Sequence, residues 1–274
     1  MKRLLILLLP VLALAGCITQ QKAPRISIFA QHIEAIARQE GISFAEAAAK
    51  VRALGYEGVD FLMTLPIEQL RTLDSLGFKH ACAISYISHN LGRQDSLGEA
   101  TLAFMKKYRF SRLLLVPGLI QEGETEETSQ NALVAMETFA EKADSMGYVV
   151  MVEDYDNPRS PCYNQESLDL MFTSAPMLKH VFDTGNYYYC GDDVMSALEH
   201  FRTRIHHVHL KDRMAEDPRV SPALGTGVVP IEEVVMTLNH SGYKGWYTVE
   251  HFGSKQMLED ATISIKTVQA ALKK

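Results

Sequence analysis

The chain has 274 residues, is 47% hydrophobic and carries a formal net charge of −6, with a mean hydropathy of −0.05. That length suits one α/β domain of barrel size, and the hydropathy excludes a protein of many membrane spans. An acidic balance without a basic run gives no electrostatic footprint for a nucleic acid partner.

Lys2 and Arg3 open the chain, an apolar run from Leu4 to Leu14 follows with Pro10 inside it, and Leu14-Ala15-Gly16-Cys17 closes the segment. This order of positive, apolar and small residues is that of an export signal, and the run is too short for an ordinary membrane span. Leu-Ala-Gly-Cys is similar to the bacterial lipobox, which implies cleavage before Cys17 and acylation of its thiol. The expected organisation is a lipoprotein signal peptide over 1–17, a tether over 18–24 and the globular domain over 25–274. Loss of Lys2 and Arg3 with the signal would take the net charge from −6 to −8. A lipid anchor would hold the domain at the periplasmic or outer-membrane face of a bacterial envelope without inserting it. Cys82, Cys162 and Cys190 would then remain. Cys82 lies in an apolar run and reads as a buried thiol. An oxidising compartment permits a Cys162–Cys190 bond, which the sequence leaves open.

From residue 26 onward, short apolar or β-branched runs alternate with helical segments. Strands are predicted at Ile26–Ala30, Gly58–Leu62, His80–Tyr86, Arg112–Val116, Val149–Glu153, His180–Asp183, Ile205–Leu210 and Trp246–His251. Ser43-x-x-Glu46 and Ser96-x-x-Glu99 read as capping boxes, Pro66 and Pro230 as first-turn prolines, and Gly55, Gly77, Gly147 and Gly242 as helix C-caps just before strands. The acidic stretch Gln121–Ser129 reads as a solvated loop and helix start. A train of βα units implies a parallel sheet with right-handed crossovers, and the natural closure is a single-domain (β/α)₈ TIM barrel. The competing open doubly wound sheet is weakened by the lack of G-x-G-x-x-G after the first strand.

In such a barrel the chemistry sits at the C-terminal ends of strands. Four predicted strand ends in the second half carry metal-ligating side chains: Glu153, Asp183, His209 and Glu250. Strand side chains alternate, so His207, His209 and Lys211 share a face, as do Met151, Glu153 and Tyr155, and Thr248 and Glu250. If Glu153, His209 and Glu250 face the barrel axis, Lys211 and Tyr155 stand just above them, while His180 and His206 face the helices. Three carboxylates in one small space repel unless a cation joins them. Oxygen donors with one imidazole suit a single Mn²⁺, Mg²⁺ or Co²⁺ ion, and Zn²⁺ also fits. A strand-end acid on its own is as often a helix N-cap or an ion-pair partner. Four at successive strand ends favour a shared site.

Val-Glu153-Asp-Tyr, Phe-Asp183-Thr-Gly-Asn186, His207-Val-His209-Leu-Lys-Asp212, Leu224-Gly-Thr-Gly227 and Thr-Val-Glu250-His-Phe occur in this order, after Ile26-Ser-Ile and Leu54-Gly-Tyr-Glu-Gly-Val-Asp60. In these pieces, over nearly the whole length past the signal, the chain resembles the xylose-isomerase-like TIM barrel superfamily of sugar phosphate isomerases and epimerases. The resemblance implies one divalent metal on Glu153, Asp183, His209 and Glu250, and a small-molecule carbohydrate substrate. It further implies that Glu153 and Glu250 move protons on opposite faces of that substrate, with Lys211 stabilising an enolate oxygen or acting as a base. Tyr155, Asn186, Lys211 and Arg213 are the expected substrate contacts, and His89, Arg159 and Arg213 candidates for the mouth, although as loop residues these last three read first as solvent-exposed charges. Ketose epimerases of this kind often carry a His three residues after the metal Asp, where this chain has Asn186. The endonuclease-IV-like branch needs that His and an Asp-x-His absent between His209 and Glu250. The expected activity is a sugar isomerase or epimerase working through an enediolate. The alternatives are a keto-sugar lyase on the same site and, from another class, a non-catalytic glycan-binding lipoprotein. A homo-oligomer is left open.

Overall fold

The computed structural model describes residues 25–87 and 94–274. Eight parallel strands close into a barrel: β1 (Arg25–Phe29), β2 (Gly58–Leu62), β3 (Lys79–Ile87), β4 (Arg112–Pro117), β5 (Val149–Glu153), β6 (Lys179–Asp183), β7 (Ile205–Leu210) and β8 (Trp246–Val249). They pair in sequence order, and β8 pairs with β1. Each expected strand is present, within two residues of its expected ends. β8 is the shorter one, so Glu250 stands one residue beyond it. Cys17, the tether and His89 lie outside the described residues. No helix among the described residues is long and apolar enough to cross a membrane.

The helix signals act as their chemistry requires, with two shifts. Ser43 caps α2 (Phe44–Ala53): its hydroxyl accepts the Glu46 N–H, and the Glu46 carboxylate accepts the Ser43 N–H at 2.9 Å. The second expected capping box does not sit at a helix start, because α4 (Gln94–Tyr108) begins two residues before Ser96. Pro66 and Pro230 occupy the N-cap position of α3 (Ile67–Ser75) and α9 (Ile231–His240), one residue earlier than expected. Gly55, Gly77, Gly147 and Gly242 all have positive φ, which only glycine adopts without a Cβ penalty. The acidic stretch leads into α5 (Glu126–Ser145), capped by Thr125.

The larger apolar core fills the space between the sheet and the helices. Inside the barrel, Cys82, Ile84, Leu114, Val116, Met151 and Val181 form a smaller core on one side. The other side is polar and fully buried. Ser27 Oγ lies 2.6 Å from Thr248 Oγ1, Thr248 donates to Asp60 at 2.9 Å, and His207 Nε2 lies 2.8 Å from Asp60. Cys82 is buried as expected, and Cys162 and Cys190 are free thiols, with Cys190 Sγ donating to the Tyr163 carbonyl at 2.8 Å.

His180 points outward, as strand alternation requires, and is fully buried. Its ring packs on Phe172 of α6 (Gln165–Ser174), Tyr187 of α7 (Thr184–Cys190) and Phe201 of α8 (Val194–Phe201). Nδ1–H donates to the Val152 carbonyl at 3.2 Å, and Nε2 accepts the Tyr187 hydroxyl at 2.8 Å. Burial pushes its pKa down to about 3 from an ordinary 6.5. Below pH 6.5 the unfolded chain therefore binds a proton that the fold refuses, and stability is lost as the pH falls from 6.5 towards about 3. This group alone sets a slope of ~1.4 kcal/mol per pH unit in that window. Urea unfolding of His180→Gln across the same range is expected to lack that component; parallel slopes for variant and wild type would contradict it.

Candidate active and metal site

The strand ends converge by register. Asp183 pairs with His209 across β6 and β7, after a bulge between His180 and Val181 that brings them level. Glu153 pairs with Val181 below Asp183, and Thr248 pairs with His209, which places Glu250 above it. One ligand atom from each of Glu153, Asp183, His209 and Glu250 lies within 4.8 Å of all the others. Glu153 Oε1 contacts His209 Nδ1, and Glu250 Oε2 lies 3.5 Å from the same nitrogen. Lys211 Nζ stands 2.8 Å from Asp183 Oδ2 and 2.8 Å from Glu250 Oε1. Tyr155, one turn of alternation beyond Glu153, is half-buried on the wall above it.

Charge is crowded here. Burial pushes the Glu250 carboxyl up to about 7 against the pull of the Lys211 ammonium. Burial also raises Glu153, although His209 opposes it. For Asp183 the balance reverses: burial would raise it, but Lys211 and His209 outweigh burial and hold it below the usual carboxylate range. Burial disfavours the Lys211 charge, yet Asp183 and Glu250 outweigh it and keep the ammonium protonated.

Asp183 shows that the bland and the functional reading of a strand-end acid can both hold. Its Oδ1 accepts the N–H groups of Gly185 and Asn186 and so caps α7. Its Oδ2 is buried and takes no hydrogen bond of normal geometry despite the nearby Lys211. A buried acceptor left open, among three carboxylates and an imidazole nitrogen, fits a divalent cation of oxygen-preferring type. These four side chains could hold one such ion.

Asp60 is the member that the strand-end reading missed. It sits inward on β2, fully buried, and its Oδ2 accepts from His207 Nε2 at 2.8 Å and from His209 Nε2 at 3.1 Å. Burial would raise its pKa, but His207 and His209 together outweigh burial and hold it below the usual carboxylate range. With Nε2–H committed to Asp60, His209 turns Nδ1 towards the carboxylates. That is the arrangement by which an outer carboxylate fixes the tautomer of a metal-binding imidazole. The signal in sequence was a lone charge in Gly-Val-Asp60-Phe-Leu at an inward position. Asp60, His207 and His209 also converge closely, but their facing atoms are already joined by these hydrogen bonds. Asp154 was missed too. It is fully buried, accepts the Asp183 N–H at 2.9 Å, and is raised well above the carboxylate range by burial and by the Asp183 and Glu153 charges.

Arg213 is not a rim charge. It is 1% exposed and donates to Gly185 O, Pro218 O, Asp156 and Asn186, four hydrogen bonds from a side chain with five donors. Asn186 is equally committed, accepting from Lys211 and Arg213 and donating to Asp154 O. Both line the cavity as a clamp that holds Lys211 in place. Gly185 makes this packing feasible, because a Cβ there would lie 2.7 Å from Lys211 Cγ and 2.9 Å from Arg213 Nε. Asp212 accepts the N–H groups of Arg213, Gly225, Gly227 and Val229 and so folds the loop after β7. Arg159 is exposed and does not line the cavity.

Above these four side chains opens a cavity of about 380 Å³, walled by Phe29, Ile84, Leu114 and Tyr155 and rimmed by the exposed Tyr86 and Phe252. The size and the mixture of apolar wall and converging polar groups suit a small molecule.

Residues 48–273 match the model of the family described as xylose isomerase-like TIM barrel. Among curated proteins, the chain is 33% identical over 94 residues to an inosose dehydratase of Bacillus cereus, covering 28% of this chain and 32% of that protein. The chain thus spans about a third of the length of such relatives. Among solved structures, a probable 3-DHS dehydratase from Bacillus anthracis superposes with a TM-score of 0.72 at 15% identity, over 89% of this chain and 98% of that one. A D-allulose 3-epimerase from Methylomonas sp. gives a TM-score of 0.72 at 15% identity, over 91% and 98%.

Calorimetric titration with Mn²⁺ is expected to show one ion per chain, and Asp183→Asn to abolish it. Asp60→Asn, which keeps the shape but removes the charge behind His209, is expected to weaken binding ~10–100-fold with the fold intact. Equal affinity in Asp60→Asn and wild type would contradict the role of Asp60.

Proposed function

The chain belongs to the xylose isomerase-like TIM barrel family, and on that premise we propose that it is a divalent-metal-dependent isomerase or epimerase of a carbohydrate, working through an enediolate. The observation that carries this reading is the pair Glu153 and Glu250. They come from β5 and from the end of β8, on either side of Asp183 and His209, and both approach the same imidazole nitrogen. Burial raises both, Glu250 to about 7, which suits Glu250 to proton exchange near neutrality. A divalent ion on the four ligands would polarise a substrate carbonyl and its neighbouring hydroxyl. Glu153 then takes the proton from the carbon between them, and Glu250 delivers one from the other side. Lys211, fixed as an ammonium beside Asp183 and Glu250, serves the developing enolate oxygen rather than acting as a base. Tyr155 and the rim aromatics offer flat faces to the sugar ring, and Phe29, edge-on to the His209 ring at 4.8 Å, shields the base of the site from water.

A second reading has its own support. The curated relatives matched over 94 residues are dehydratases, and Asn186 stands where ketose epimerases often carry His. The same enolate, with a leaving group on the next carbon, eliminates instead of reprotonating, which would make the protein a keto-sugar lyase. A purely glycan-binding role has no use for two part-buried carboxylates facing one imidazole nitrogen. Leu14-Ala15-Gly16-Cys17 supports a lipidated protein at the cell envelope, where the substrate would be a glycoside or an oxidised derivative of one.

The two readings separate on incubation of the Mn²⁺-loaded protein with keto-sugars in D₂O. Deuterium gained at the carbon next to the carbonyl, with every substituent kept, is the expected result. Release of water or an aglycone would make it a lyase, and no exchange with any keto-sugar would contradict both. Glu153→Gln at saturating metal is expected to lower turnover ~10²–10⁴-fold.

A further inference from the structure

The opposite end of the barrel carries a charge that the composition hides. The helix-to-strand connections, with the first residue of each strand, contain eight Lys or Arg and one acid, Glu57, in a chain of net charge −6. Arg202 pairs with Glu199, and Arg204 donates to the carbonyls of Pro176 and Leu178. The other six are Arg25, Lys79, Arg109, Arg112, Lys179 and Lys244, and none of them has an ion-pair partner among the described residues. These six come from five separate strand entries, so no basic run appears in the sequence. In a parallel barrel all strand N-termini share one end, and here that end is a basic face.

A groove of about 720 Å³ opens on this face beside Arg25, Lys79, Lys107, Arg109 and Arg112. Its single acid, Asp74, is tied to His80 at 2.7 Å. Arg112 Nε is buried there without a hydrogen-bond partner, and the Arg25 guanidinium carbon lies over the Trp246 ring, 5.3 Å from its centroid. Unpaired guanidinium groups in an open groove match the phosphate of a lipid headgroup. The chain also enters the barrel here: Arg25 is the first residue of β1, and residue 24 is bonded to it. From Cys17, the seven residues 18–24 span at most ~25 Å when fully extended.

We propose that this basic end is a docking surface for an anionic phospholipid bilayer, holding the cavity mouth away from the membrane and open to soluble substrate. The proposal rests on the reading of Cys17 as the acylated residue. Attraction to a charged surface decays over ~8 Å at physiological salt, so six cations on a free protein would spend little time within range. A short tether leaving the same face supplies the range, and the cations then select which end touches. A nucleic acid would need the same charges but gains nothing from the tether.

The test uses the full chain extracted from membranes, its N-terminal mass measured first, and placed in vesicles of pure phosphatidylcholine or with about 30% phosphatidylglycerol. Amine acetylation is followed by mass spectrometry at Lys79 and Lys244 on the basic face, and at Lys255 near the cavity mouth. The expected result is acetylation of Lys79 and Lys244 slowed about fivefold by the anionic lipid and restored by about 0.5 M salt, with Lys255 unchanged. Arg109→Glu combined with Lys179→Glu, both outside the cavity, is expected to remove the protection. Equal labelling in both vesicles overturns the docking surface. A Cys17 without acyl chains overturns the tether reading. The same labelling of that chain still decides the face, since salt-sensitive protection supports it and none overturns it. Protection by RNA in solution but not by anionic vesicles also overturns it.

Discussion

The carboxylates of Glu153, Asp183 and Glu250 repel one another at the spacing this barrel imposes, and the surrounding residues are arranged to hold them there. His209 on β7 and Lys211, one residue past its end, answer part of that repulsion. The rest is answered at a distance. Asp60 holds His209 by Nε2 from across the barrel, Asp154 accepts the backbone N–H of Asp183, and Asn186 with Arg213 fixes Lys211. Each of these partners is buried, where an unmatched polar group is costly. The second layer therefore limits the ways in which the first can move.

The barrel interior is divided to suit this. On the side of β3 to β6 it is filled by apolar side chains, as barrels commonly are. On the side of β1, β2, β7 and β8 it holds Ser27, Asp60, His207 and Thr248 in one hydrogen-bonded group. That group gives up hydrophobic burial and gains a fixed orientation for the imidazole above it. Its stability cost is carried by the large core between sheet and helices.

The fold was legible because its signals are local. Short apolar or β-branched runs, glycines at helix ends and the Ser43 capping box each report on a few neighbouring residues. The convergence of Glu153, Asp183, His209 and Glu250 was legible for a related reason: strand alternation and the rule of strand C-termini reduce a spatial question to a sequence one. Asp60 escaped because its function depends on what stands opposite, 149 residues away at His209. Arg213 misled because an Arg in a loop after a strand looks solvated. Only the fold shows Asp156, Asn186 and two carbonyls closing around it. The basic end escaped for the same reason, since six strand entries contribute one or two charges each.

On the proposed function, Glu153, Asp183, His209 and Glu250 would ligate one divalent ion at the mouth of the barrel. Anomalous diffraction from crystals grown with Mn²⁺ tests it directly. One strong peak is expected within bonding reach of His209 Nδ1 and an oxygen of each carboxylate, with Lys211 displaced from between Asp183 and Glu250. A map with no peak there, and Lys211 still bridging those two acids at saturating Mn²⁺, would contradict it.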